Sequence, residues 1–111
     1  MIQISSDIRP LSVNEAWQGR RFKTKSYLSF ERDLLLTLPK CEPIFGKVRI
    51  EIECLYKRDK MRDIDNAVKP ILDVIVKRGY IEDDRYVYEL VVKKRHAERD
   101  GFNLSISKIC E

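Results

Sequence analysis

Val48-Arg49-Ile50-Glu51-Ile52-Glu53-Cys54-Leu55-Tyr56 alternates apolar and charged side chains. A period of two puts Val48, Ile50, Ile52, Cys54 and Tyr56 on one side of an extended backbone and Arg49, Glu51 and Glu53 on the other, so the segment reads as a strand with one buried and one solvated face. A buried face needs a cover, and the next patterned segment supplies one. From about Asn66 to Arg78, Val68, Ile71, Leu72, Ile75 and Val76 recur at the spacing of a helix, and Gly79 stands where a C-cap glycine belongs. Pro70 fits inside the first turn, where few amides have helical partners.

Outward from this pair the same two periods continue. Tyr27, Phe30, Leu34, Leu35 and Leu38 share one face of a second helix over about Ser26 to Leu38, ended by Pro39 and capped by Thr24 or Ser26. Ile2 and Ile4 predict a short N-terminal strand. Tyr86 to Val92 is rich in β-branched and aromatic residues, and Phe102, Leu104 and Ile106 alternate after the turn signal Arg99-Asp100-Gly101, which predicts a hairpin. The order β-α-β-α-β-β gives an α+β fold with two helices on a small mixed sheet. At 111 residues one domain over 1–111 is expected, without repeat or linker.

Composition excludes several classes of function. With 43% hydrophobic and 36% charged residues the chain can build a core under an ionic surface, so disorder is excluded as its main state. No apolar run approaches the roughly 18 residues of a membrane span, and the start Met1-Ile2-Gln3-Ile4 lacks the layout of a signal peptide; a cytoplasmic, DNA-associated location is expected. Cys41, Cys54 and Cys110 form no C-x-x-C pair and read as reduced thiols, and with His96 the only histidine a zinc site has no spacing to support it. Walker, G-x-G-x-x-G and G-x-S-x-G templates are absent.

Acidic metal chemistry remains. In Arg62-Asp63-Ile64-Asp65-Asn66-Ala67-Val68-Lys69-Pro70-Ile71-Leu72-Asp73, an extended backbone would project Asp63 and Asp65 to the same side, about 6 to 7 Å apart, able to hold one divalent cation between them, whereas a helical backbone would not. Lys69 and Asp73 follow at helical i, i+4 steps. A second acidic group, Glu82-Asp83-Asp84, precedes the next strand and can return beside the first if that strand lies next to the segment carrying Asp63. Hard oxygen donors favour Mg²⁺, with Mn²⁺ able to substitute, and such ions activate water against phosphodiesters. An EF-hand reading fails at Ala67, Val68 and Val74, the fifth, sixth and twelfth positions from Asp63. The bland alternative is a helix cap with surface ion pairs.

The net charge of +4 permits a nucleic-acid partner, and its distribution favours one. Arg20, Arg21, Lys23 and Lys25 are interleaved with Trp17, Phe22 and Tyr27 in a stretch of little periodicity, as in a loop that follows a phosphate backbone. For Phe22 and Tyr27 a place in the core is an equally good reading. Lys57, Arg58, Lys60 and Arg62 form a second basic cluster, and Lys93, Lys94, Arg95 and Arg99 a third.

The pattern Asp63-x-Asp65-Asn66-x-x-Lys69 with Asp73, Gly79 and Asp83-Asp84 resembles the RusA-type Holliday junction resolvases. Pro10-Leu11-Ser12-Val13-Asn14 and Gly19-Arg20-Arg21-Phe22-Lys23-Thr24 before Tyr27 are similar to the N-terminal signature of that family, so the resemblance covers nearly the whole chain. It implies a small α+β domain forming a homodimer that cuts four-way branched DNA with Mg²⁺. It also implies that the essential acids are Asp63, Asp65 and Asp84, with Asp83 beside them, and that the essential lysine is Lys69. Pro70 and the Lys-rich C-terminal segment depart from the family pattern. Two readings stand beside this one: a catalytically silent DNA-binding module, and a metal-dependent nuclease acting on other branched DNA or on RNA.

Overall fold

The alternation in residues 48–56 is realised as the centre of a four-stranded sheet. The computed structural model describes residues 1–12, 17–18, 22–58 and 63–110; of residues 17, 18, 22 and 23 it describes the backbone. Its strands are β1 (Ile2–Ser6), β4 (Val48–Tyr56), β5 (Val87–His96) and β6 (Gly101–Lys108), in spatial order β1-β6-β4-β5. Strand β4 runs parallel to β5 and antiparallel to β6, and β6 is antiparallel to β1, so the sheet is mixed. A separate two-residue pair, β2 (Trp17–Gln18) and β3 (Phe22–Lys23), sets Trp17 opposite Lys23 within the stretch read from sequence as a loop. Two helices complete the α+β fold, α1 (Lys25–Thr37) and α2 (Val68–Arg78).

Register turns the sequence pattern into rows. Ile4, Leu104 and Ile52 align across three strands, as do Ile2, Ile106 and Ile50, and all six are buried under the helices. Cross-strand contact between such side chains is what fixes register, because a slip by one residue would turn this face to water. Helix α1 contributes Tyr27, Phe30 and Leu34 to the core, and α2 contributes Ile71, Val74 and Ile75. Thr24 caps α1 by accepting the Tyr27 N–H at 3.1 Å. Gly79 ends α2 at φ 88°, in the left-handed region where glycine carries no steric cost, and its N–H reaches the Ile75 and Val76 carbonyls.

The opposite face of the sheet is a ladder of paired charges. Lys93 binds Glu51 at 2.9 Å, Arg95 binds Glu53 at 3.0 Å, and Asn103 donates to Glu53 at 3.0 Å. Glu51 is held below its usual range, chiefly by the hydrogen bond and charge of Lys93. The third basic cluster is therefore not all available to a ligand: Lys93 and Arg95 already face glutamates.

The hairpin expected between β5 and β6 does not form. The two strands flank β4, and residues 97–100 cross its end, where the Ala97 N–H binds the Tyr56 carbonyl at 2.9 Å and the Asp100 carboxylate accepts the Lys57 N–H at 2.9 Å. Four residues suffice to step over one strand, a span of roughly 10 Å. The turn signal was sound, but its polar groups bond to β4 and so separate the strands it joins. Gly101 then starts β6 where a side chain would be impossible without movement: a Cβ there would lie 2.3 Å from the Ser6 carbonyl oxygen of β1.

Candidate active site

Asp63 and Asp65 do not lie on one extended segment. Asp63 is extended, at φ −67° and ψ 132°, but Ile64–Ala67 forms a 3₁₀ turn leading into α2, and Asp65 lies in that turn. The expected same-side projection from an extended backbone is therefore not what forms, because the strong apolar periodicity of α2 draws its N-terminal approach into helical form. Both side chains are exposed, and Asp63 makes no capping hydrogen bond, so the bland capping reading does not describe it. Neither carboxylate has a hydrogen bond or ion pair among the described residues.

The second acidic group does return to the start of α2. Because β5 pairs with β4, the turn before β5 approaches the helix, and Lys69 Nζ meets Asp84 Oδ2 at 2.9 Å. The same ammonium binds Asp73 Oδ1 at 2.8 Å, one helical turn further along. Lys69 is raised above its ordinary pKa by the hydrogen bonds to Asp73 and then Asp84, with partial burial opposing. Asp84 is correspondingly lowered, first by the Lys69 hydrogen bond and then by Asp83. Asp83 caps its own short 3₁₀ turn (Asp84–Tyr86), accepting the Arg85 N–H at 3.2 Å.

One participant was not foreseen. Tyr27, read from sequence as a core or stacking group, is 1% exposed and donates its hydroxyl to Asp73 Oδ2 at 3.2 Å. Burial, followed by the Asp73 charge, raises its pKa above the ordinary value. Forty-six residues separate the pair, and no local pattern could join them. Lys25 is exposed at the first residue of α1. Arg20, Arg21 and Arg62, and the side chain of Lys23, lie outside the described residues.

The donor set is chemically suited to a hard divalent cation: carboxylates only, two of them without partners among the described residues. Among the described residues no three such side chains converge on one point. Asp63 and Asp65 stand at the 3₁₀ turn before α2, Asp83 and Asp84 at the turn before β5, and Lys69 is held on Asp84. A lysine fixed between carboxylates at a helix start, next to unpartnered aspartates, can neutralise and orient an anionic substrate.

Comparison with known proteins assigns the chain to a class of nucleases. Residues 8–107 match the family described as endodeoxyribonuclease RusA, a span that takes in the 3₁₀ turn, α2 and Asp83-Asp84, and the chain belongs to that family. A relative, the crossover junction endodeoxyribonuclease RusA of Aquifex aeolicus (strain VF5), is 28% identical over 92 residues, covering 79% of this chain and 73% of the relative. No described helix is long and apolar enough to cross a membrane.

Proposed function

We propose that the protein is a Mg²⁺-dependent endodeoxyribonuclease that resolves four-way DNA junctions by paired phosphodiester hydrolysis, acting as a homodimer. Family membership and the name of the Aquifex relative support the reaction class and the substrate. The observation that carries the site is the Lys69 ammonium shared between Asp73 and Asp84, at a helix whose leading turn exposes Asp63 and Asp65 without partners among the described residues.

Asp63, Asp65 and Asp84, with Asp83 alongside, are the residues that would hold Mg²⁺ or Mn²⁺. Such an ion, once bound, supplies Lewis acidity at a phosphate oxygen and a water of lowered pKa. The chain's own groups do the rest. Lys69 has three N–H donors, two of which are committed to carboxylates, leaving one for a phosphate oxygen or the attacking water. Its positive charge offsets the charge that develops on the phosphate in the transition state. Arg20, Arg21, Lys23, Lys25 and Arg62 hold the DNA backbone, a role that sets affinity and salt dependence rather than chemistry.

The test is a substrate panel at fixed salt: four-way junction, flap, linear duplex and structured RNA, each end-labelled, with Mg²⁺ or with EDTA. Symmetric cuts in the junction alone, lost in EDTA, are expected. Binding without cleavage in any metal would leave a silent DNA-binding module; equal cutting of flap or RNA would replace the junction as substrate.

A further inference from the structure

An i, i+4 Lys–Asp pair on an exposed helix is worth only a few tenths of a kcal/mol, and its lysine ordinarily samples many rotamers. The pair formed by Lys69 and Asp73 is built differently. Asp73 has 27% of its side chain exposed, and its two oxygens are divided: Oδ1 takes the Lys69 ammonium and Oδ2 the Tyr27 hydroxyl. Tyr27 is itself immobile, with its ring in the core and its backbone N–H on the Thr24 cap. A continuous chain of bonds therefore runs from the first turn of α1 through Tyr27, Asp73 and Lys69 to Asp84.

A simpler role for Tyr27 and Asp73 would be to tie the two helices together. That role already has an occupant. One turn further along both helices Lys77 of α2 binds the buried Glu31 of α1, a strut that makes no bond to Lys69 or Asp84, although the Glu31 charge is felt at Tyr27. The Tyr27–Asp73 contact differs from it in one respect: the free oxygen of its carboxylate faces the site lysine.

We propose that Tyr27 and Asp73 are positioning residues for cleavage, a clamp anchored in the core that holds the half-exposed Lys69 ammonium at Asp84. The inference rests on the reading of Lys69 as a participant in the reaction. Neither residue touches the DNA. Both act through the lysine, so their loss lowers turnover and spares binding.

The experiment compares Tyr27→Phe, Asp73→Asn, Lys69→Met and, as a control for helix pairing, Lys77→Met. Turnover at saturating junction, junction affinity by fluorescence anisotropy and thermal melting are measured for each. The free proteins are also labelled with ¹⁵N-lysine, and the Lys69 ammonium resonance is assigned by its absence from Lys69→Met. Tyr27→Phe is expected to lower turnover about tenfold and Asp73→Asn up to about a hundredfold, the scale at which small misplacements of a working group are felt. Affinity should stay within about twofold, the Lys69 resonance should move to the position of freely exposed lysines in both variants, and Lys77→Met should lose melting temperature without losing turnover. Wild-type turnover and an unmoved resonance in Tyr27→Phe and Asp73→Asn would overturn the clamp, and so would an equal loss of turnover in Lys77→Met. Wild-type cleavage by Lys69→Met would instead remove the lysine from the reaction, overturning the site reading beneath it.

Discussion

Asp65 is exposed and its carboxylate has no protein partner among the described residues, which leaves both oxygens open to water or a cation. If it is a metal ligand facing phosphates, Asp65→Asn removes both a donor and a repulsive charge. Cleavage should fall by at least about a hundredfold, while junction binding is unchanged or tighter. Cleavage at the normal rate with Mg²⁺ would return Asp65 to the role of an ordinary surface acid. Tyr27 makes a prediction of a different kind. Its folded pKa is raised above the unfolded value of about 10, so its contribution to stability is present in full below that pH and is lost as pH rises above it. Between about pH 9.5 and 11.5 the wild type should therefore lose melting temperature more steeply than Tyr27→Phe, which has no phenol to ionise. Parallel curves would show that the hydroxyl is not desolvated beside Asp73.

Among the elements, the two glycines at chain junctions separate two physical costs. Gly79→Ala meets no neighbour but places a Cβ at φ 88°, and about 1 to 2 kcal/mol of stability should be lost. Gly101→Ala meets the Ser6 carbonyl oxygen at 2.3 Å, so β1 must shift from β6, and the loss should reach about 3 kcal/mol or more. Thermal melting of both variants checks the order; an equal effect would mean that β1 moves freely. The same elements show what a sequence can and cannot reveal. Helix α2 and strand β4 were legible because each carries an unbroken period, and α2 also carries its own stop at Gly79. The return of the second acidic turn towards the start of α2 was legible from strand adjacency, but that Asp84 would bind Lys69 there was not. The separation of β5 from β6 was not, since it depends on the Asp100 carboxylate finding the Lys57 N–H, a contact that leaves no local trace. A single residue between carboxylates does not itself set the backbone, so the extended segment expected around Asp65 gives way to a 3₁₀ turn once α2 extends its helical form towards the N-terminus. Tyr27 shows the reverse: its ring obeys the helical period and lies in the core as that period indicates, while the partner of its hydroxyl leaves no local signal.

For the whole molecule, a net charge of +4 says less than which cations are already paired. Lys93 and Arg95 are engaged by Glu51 and Glu53 on the open face of the sheet. Arg20→Ala with Arg21→Ala should then lower the slope of log affinity against log salt by roughly 0.7 to 0.9 per residue, whereas Lys93→Ala with Arg95→Ala should leave it nearly unchanged. The opposite pattern in a salt titration would put the DNA on the sheet. The homodimer proposed above carries the last prediction. The edge strand β5 leaves Tyr88 62% and Leu90 42% exposed, apolar surface that suits a second copy. A two-fold pair presents two equivalent sites to a junction whose opposing strands must both be cut. Mixed dimers of wild-type and Asp63→Asn chains should therefore nick one strand and seldom resolve the junction. An enzyme working from separate molecules would not behave so, because excess active protein would supply the second cut whatever the pairing. Light scattering comes first, since a particle of 13.2 kDa at working concentration would remove the dimer. If the particle has twice that mass, nicked circles from a junction extruded in a supercoiled plasmid decide the rest: their accumulation in the mixed sample, with linear product confined to the wild-type fraction, assigns one cut to each chain.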